Sequence, residues 1–299
     1  MNWMEFLNTQ ATPAVLMFVM FLLGLSLSVA DFKRVVTFPK AVTVGLVAQL
    51  IGMPLTAWVL SSLFSPTPAI AVGLIILAIC PSGVTANAYS FAARADVALC
   101  VTLSALTSII TVFTIPFLTD LALQTFFEAG QRPNLSMANT MRTLMQVTLV
   151  PIVVGMAVRK VIPQLVGRMI DPMRKVALWL VMGVLTLGAL SSWEVIRDNF
   201  AIAGFLVVAM NLLTMAMGYY SAKLTNLPPP QRVTITYEVG VQNLALAMVI
   251  TLAILKRPDL AVAALLYAVV MPLTALGFLS IARRIIGPEE GRSAASIPV

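Results

Sequence analysis

Apolar runs about twenty residues long recur along the chain, separated by short stretches that hold most of the charge and the helix breakers. They fall at approximately 13–30, 41–64, 69–93, 97–121, 139–158, 176–193, 201–222, 233–255 and 261–282. A helix needs ~20 such residues to cross a bilayer, so the pattern predicts nine spans in an all-α polytopic membrane protein. The separators include Ser65-Pro66-Thr67-Pro68, Pro228-Pro229-Pro230 and Lys256-Arg257-Pro258-Asp259. The longer polar connection 122–138 is expected at a surface.

Composition agrees with this pattern. Hydrophobic residues make up 60% of the chain and charged residues 10%, with a mean hydropathy of +0.96, so no separate soluble domain is expected. The chain has no histidine. That excludes histidine metal sites, Ser-His-Asp triads and imidazole relays. Cys80 and Cys100 both lie in apolar segments and read as packing residues.

Ser28-Val29-Ala30 has the small residues of a cleavage site, but the start of the chain carries Glu5 and no Lys or Arg, whereas Lys33 and Arg34 follow the apolar run. That is the pattern of a retained span with its N-terminus outside. Only Arg132, Arg142, Arg197, Lys256 and Arg257 then fall on the outer side, and the other 14 of the 19 basic residues fall inside. This bias predicts an N-out, C-in protein of the inner (plasma) membrane. It also accounts for the net charge of +7 without a nucleic-acid partner.

Glu238 is the acidic residue expected deep in the bilayer. A charge there costs roughly 2.5–3.5 kcal/mol or more unless it is neutralised. The nearest basic residues, Arg232 and Lys256, sit at the segment's ends. A proton, a distant arginine or a bound cation remain, and the rest of the chain favours the cation. Pro81, Ser82 and Gly83 interrupt the third segment at mid-depth, beside Thr85 and Asn87. Gly240 interrupts the eighth, between Glu238 and Gln242-Asn243. Paired interruptions in oppositely directed segments predict inverted repeats whose broken helices cross near the midplane. The expected units are a first repeat of four helices (1–121), a connection (122–138), a second repeat of five helices (139–284) and a flexible cytoplasmic tail (285–299). Carbonyls and the carboxylate at such a crossing suit a cation, and half-helix amide ends suit an anionic group.

Elsewhere the expected roles are structural. Gln49 and Asn211 read as interhelical hydrogen bonds, Gly24 to Ser28 and the Gly-Ala pairs of the sixth segment as close-packing surfaces, and the 17 methionines as adaptable packing. Trp193 and Tyr219-Tyr220 read as interfacial anchors.

Three stretches carry a family resemblance: residues 45–57, residues 80–99 with CysProSerGlyValThrAlaAsn at their head, and GluValGlyValGlnAsn at 238–243. Together they resemble the bile acid:sodium symporter family over nearly the whole chain. The resemblance implies a panel domain from segments one, five and six and a core from the rest. The bacterial members best known in three dimensions have ten spans, so this chain is expected to lack their first. It also implies ligands. One sodium site falls on Glu238, Asn87, Ser104, Ala86 and Cys100, with Ala86 and Cys100 standing where relatives can have serine. A second falls on Gln49, Glu238, Val239, Val241 and Gln242, the valines through their carbonyls. Asn243, Gly83, Val84 and Thr85 would face the substrate.

The implied function is sodium-coupled import of an organic anion by alternating access, the anion being bile acid-like or a small carboxylate such as pantoate. Sodium is the coupling ion, and no other cofactor, nucleic acid or obligate protein partner is expected. One alternative is an exporter of arsenite or another oxyanion, using Cys80 as a thiolate. Another is an intramembrane hydrolase or receptor, although a hydrolase would need a nucleophile and base that the segments do not supply.

Overall fold

A computed structural model describes residues 7–295. Glu5 and residues 296–299 of the expected tail lie outside the described residues. The chain forms helices α1 (Thr12–Ser26), α2 (Val29–Thr37), α3 (Pro39–Phe64), α4 (Pro68–Ile79), α5 (Thr85–Ala92) and α6 (Val97–Phe126), followed by α7 (Met137–Val161), α8 (Pro163–Ser191), α9 (Trp193–Leu224), α10 (Pro229–Gly240), α11 (Leu244–Ile254) and α12 (Val262–Ala295). Among the described residues there is no β-strand, only one isolated bridge. Among the described residues seven helices are long and apolar enough to cross a membrane, α1 being counted from Thr9 with the turn before it, and α4 and α11 are shorter apolar helices. This is a multi-pass helical membrane protein.

Four helix boundaries differ from the sequence reading. α1 stops at Ser26, where Leu27 turns extended (ψ 144°), and the separate helix α2 follows. α8 and α9 begin at Pro163 and Trp193, well before the expected 176 and 201. An apolar window registers only the stretch that oil can cover, whereas a helix continues into water wherever its polar residues remain solvated. α12 likewise runs to Ala295, with a departure from helical geometry at Gly287 (φ 71°).

Among the described residues four helices contain or follow a π turn: Leu7–Ala11 before α1, Ala48–Gly52 within α3, Met145–Leu149 within α7 and Val249–Ile254 within α11. The first three are each followed two residues later by a proline: Pro13, Pro54 and Pro151. Proline has no amide to offer the preceding turn and its ring crowds the carbonyl there. A widened turn absorbs that mismatch without breaking the helix.

Helices α1, α7 and α8 pack together, and the closest approach is set by two glycines. A Cβ at Gly24 would overlap the Ile152 carbonyl, and one at Gly155 would overlap the Phe21 carbonyl. The expected close packing around Gly24 is therefore present. In the sixth segment Gly188 packs on the Met248 side chain, but Gly183 faces open space. The remaining long helices α3, α6, α9 and α12 surround the two interrupted pairs, α4–α5 and α10–α11. α4 is buried from Ile70 to Ile79, and α10 and α11 from Val233 to Gly240 and Leu244 to Leu252.

Gly24→Ala should lower the apparent unfolding temperature of the detergent-solubilised protein, because the added methyl meets backbone that has nowhere to go, costing about 1–3 kcal/mol. Gly204→Ala, on the same chain but with nothing within 4 Å of the added carbon, should leave the temperature unchanged or raise it. Equal behaviour of the two variants would remove the argument for a glycine-set crossing.

Candidate functional site

The two interruptions meet. Cys80 precedes Pro81 and is pushed out of the helical region (ψ 151°), which ends α4. Gly240 ends α10, with Val241 extended (φ −117°, ψ 105°). Ser82 and Gln242 then pair in an antiparallel bridge. The Gly83 amide donates to the Val241 carbonyl at 2.9 Å, and the Asn243 amide to the Pro81 carbonyl at 3.0 Å. Ser82 Oγ adds a bond to the Val241 carbonyl at 3.1 Å. Each broken chain thus satisfies backbone groups of the other, as a backbone deep in an apolar interior must.

Glu238 lies four residues before Gln242 of that bridge and has 0% exposure. Ser104 Oγ is 3.1 Å and 3.0 Å from its two carboxylate oxygens, and Cys100 Sγ donates at 3.3 Å. Both donors come from α6, four residues apart and so on one face. Asp96 caps that helix by accepting from the Leu99 amide at 2.9 Å, and its carbonyl accepts from Thr234 of α10 at 3.0 Å, fixing one helix against the other. Among the described residues no Lys or Arg pairs with Glu238.

Gln49 occupies the π turn of α3. Its Nε2 donates to the Cys80 carbonyl at 3.0 Å and to Gln242 Oε1 at 3.1 Å. Gln242 Nε2 donates to the Val239 carbonyl at 2.8 Å and to Met53 Sδ at 2.8 Å. Gln49, Gln242, Val239 and Val241 are therefore brought together beside Glu238. Ala86 and Asn87 are buried on α5, with no hydrogen bond between either and the Glu238 carboxylate. Asn87 Oδ1 has no partner. Asn243 caps α11 by accepting from the Leu246 amide at 3.1 Å, and its Nδ2 has no partner. Val84 precedes α5 and Thr85 begins it, with Thr85 exposed.

Sequence reasoning missed two participants. Met53 accepts from Gln242, and Tyr267 donates to the Gly240 carbonyl at 2.9 Å. Neither had a signal, since methionine and tyrosine are ordinary residues in an apolar helix. Asn211, expected as an interhelical contact, donates to the same carbonyl at 2.9 Å. Cys80 Sγ is buried and donates to the Ile76 carbonyl at 3.2 Å within its own helix.

The model of the sodium bile acid symporter family matches residues 13–198, more than half of the chain. An uncharacterized sodium-dependent transporter of Bacillus subtilis is 29% identical over 240 residues, 79% of this chain and 71% of that protein. A probable chloroplast sodium/metabolite cotransporter of rice is 28% identical over 277 residues, 91% of this chain and 63% of that protein. The rat hepatic sodium/bile acid cotransporter is 25% identical over 239 residues, 79% of this chain and 65% of that protein. The chain thus spans less than two thirds of the rice and rat proteins. Nothing in these matches favours an oxyanion exporter, and Cys80 serves its own helix. The protein belongs to the sodium bile acid symporter family, whose members are sodium-coupled transporters rather than enzymes.

Proposed function

We propose that the protein imports an organic anion together with sodium, by alternating access. The observation that carries this reading is Glu238: wholly buried, hydrogen-bonded by the Ser104 hydroxyl and the Cys100 thiol rather than by a basic side chain among the described residues, and set beside the crossing of two broken helices. A carboxylate so placed needs a counter-charge. The unpartnered atoms nearby support both halves of the cargo. Asn87 Oδ1 is an acceptor with no donor, which suits a cation, and Asn243 Nδ2 is a donor with no acceptor, which suits an anion's oxygen.

In this reading the first sodium ion lies among Glu238, Asn87, Ser104, the Ala86 carbonyl and Cys100. The second lies among Gln49, Glu238, Gln242 and the carbonyls of Val239 and Val241. Hard cations take oxygen ligands, so Cys100 is the weak member of the first set. In the second set the Gln49 and Gln242 side chains are hydrogen-bonded to each other. Turning their amides presents both oxygens to an ion. The substrate's acidic group would sit at Asn243 and the backbone of Gly83, Val84 and Thr85. An empty site bears one negative charge, two sodium ions make it +1, and a monoanion returns it to zero. A neutral loaded site crosses a low-dielectric region at the least cost. The names of the rice and rat relatives specify a metabolite and a bile acid respectively, so the substrate class here is an organic carboxylate, either amphipathic or small like pantoate.

The interrupted pairs α4–α5 and α10–α11 count as one span each, which with the seven long helices gives nine spans, N-terminus outside, in the inner membrane. Residues 1–121 and 139–284 form the inverted repeats. α1, α7 and α8 form the panel and the other helices the core. α11, on the outer side in this topology, packs on α1. α5, on the inner side, packs on α6, α10 and α12 and leaves Thr85, Ala88 and Phe91 exposed. These contacts support reading the carrier as closed to the outside and open to the inside.

The test is a thermal-shift screen of carboxylates in NaCl and in matched KCl. Sodium alone should stabilise the purified protein, and a transported anion should add stabilisation only in sodium, as linkage requires of a ligand that binds the folded state. Glu238→Gln should abolish the sodium-specific shift. A full shift in that variant would remove the carboxylate from the mechanism.

Cys100→Ser replaces sulfur with oxygen at one turn's distance from Ser104. It should lower the sodium concentration giving half the shift by about three-fold or more, since a hard cation gains a suitable donor. Asn243→Ala should preserve the sodium shift while losing the additional shift from the anion. Loss of both together would place Asn243 in the scaffold of the crossing instead.

A further inference from the structure

The contacts on the Gly240 carbonyl lie outside both ligand sets. Extended backbone sends successive carbonyls to opposite sides, and the extended residue here is Val241. The Val241 carbonyl points at the α4–α5 connection, where Gly83 and Ser82 donate to it. The Gly240 carbonyl points the other way, toward α9 and α12. There it accepts from Asn211 Nδ2 and from the Tyr267 hydroxyl, both at 2.9 Å. Asn211 Nδ2 also donates to the Tyr267 hydroxyl at 2.7 Å, so the three groups close a triangle.

Asn211 and Tyr267 each have 0% exposure. The asparagine commits its amide hydrogens to the triangle and leaves its own Oδ1 unpartnered. Apolar side chains of similar size would fill the same space without that cost. The carbonyl being held belongs to the most freely rotating residue of the interruption, a glycine. The Met215 side chain fills the position a Cβ would take.

We propose that Asn211 and Tyr267 are positioning residues for the transported cation. By holding the Gly240 carbonyl on the α9/α12 side, they fix the peptide planes around it. The carbonyls of Val239 and Val241 and the carboxylate of Glu238 are thereby kept in one arrangement. The inference rests on the reading that sodium binds at Glu238. An alkali cation needs several oxygens in place at once, so a peptide left free to swing must be ordered at the cation's expense. α9 and α12 both pack on α10. The triangle therefore travels with the site whenever α1, α7 and α8 shift against it.

The experiment is a titration of the detergent-solubilised full chain with NaCl at constant ionic strength made up with KCl, reading the unfolding temperature. Tyr267→Phe and, separately, Asn211→Leu should each raise the sodium concentration for half the shift about five-fold, the loss expected of roughly one net hydrogen bond. Tyr237→Phe is the comparison, because it removes another buried tyrosine bond, to the Ala275 carbonyl at 3.3 Å. It should lower the temperature in KCl without moving the sodium midpoint. Should Asn211→Leu fail to fold, Tyr267→Phe alone carries the measurement. A sodium midpoint unchanged in the triangle variants, or moved equally by Tyr237→Phe, overturns the positioning role while leaving the sodium reading intact. A wild-type protein that does not distinguish NaCl from KCl overturns both.

Discussion

The bridge between Ser82 and Gln242 is the constraint on which the rest of this structure depends. A helix interrupted in oil exposes amides and carbonyls that neither lipid nor its own turns can satisfy. Here two such interruptions are laid antiparallel, so that Gly83 and Asn243 donate across to Val241 and Pro81. Neither interruption could persist alone at that depth. The need for mutual satisfaction draws α4–α5 and α10–α11 to one point. The long helices α6, α9 and α12 then have to supply what the crossing leaves over: donors for Glu238 from α6, and donors for the Gly240 carbonyl from α9 and α12.

This arrangement collects polarity without spending it all. Most buried polar atoms at the crossing are paired, but the acceptor of Asn87 and the donor of Asn243 are not. Buried polar atoms without partners are uncommon because each costs free energy. An unpartnered acceptor on α5 and an unpartnered donor at the start of α11, helices that meet at the same bridge, support the proposal of an ion pair as cargo.

The breaks at Pro81–Gly83 and at Gly240 were legible in the sequence, because there the proline or glycine stands beside clustered polar side chains in the middle of an apolar run, a combination that packing alone does not call for. Glu238 was legible for the same reason. The helix ends were not: α8 carries Arg168, Asp171, Arg174 and Lys175 along its first half, and to a hydropathy window solvated helix and loop look alike. α2 was missed because nine residues with a charged face (Val29–Thr37) resemble a connection. Ser104 and Cys100 came from family resemblance alone; spacing of four marks a shared helix face without saying what it faces. Tyr267 was invisible, since a buried tyrosine reveals its role only through the carbonyl it reaches.

The two groups of helices differ in how they hold together, and the difference bears on motion. α1 and α7 touch backbone to backbone through Gly24 and Gly155, which makes a tight, short crossing with few polar ties. The crossing helices are bound by hydrogen bonds among α3, α4, α6, α9, α10 and α12. A set tied in that way resists internal rearrangement, because separating any member strands a polar group in oil. Surfaces that meet only through apolar side chains, such as Gly188 against Met248 of α11, can slide and repack at little cost. Relative movement in the proposed cycle is therefore confined to the apolar seam. On the proposed reading the ion site passes through it unchanged, exposed to one side of the membrane and then the other by what slides past it.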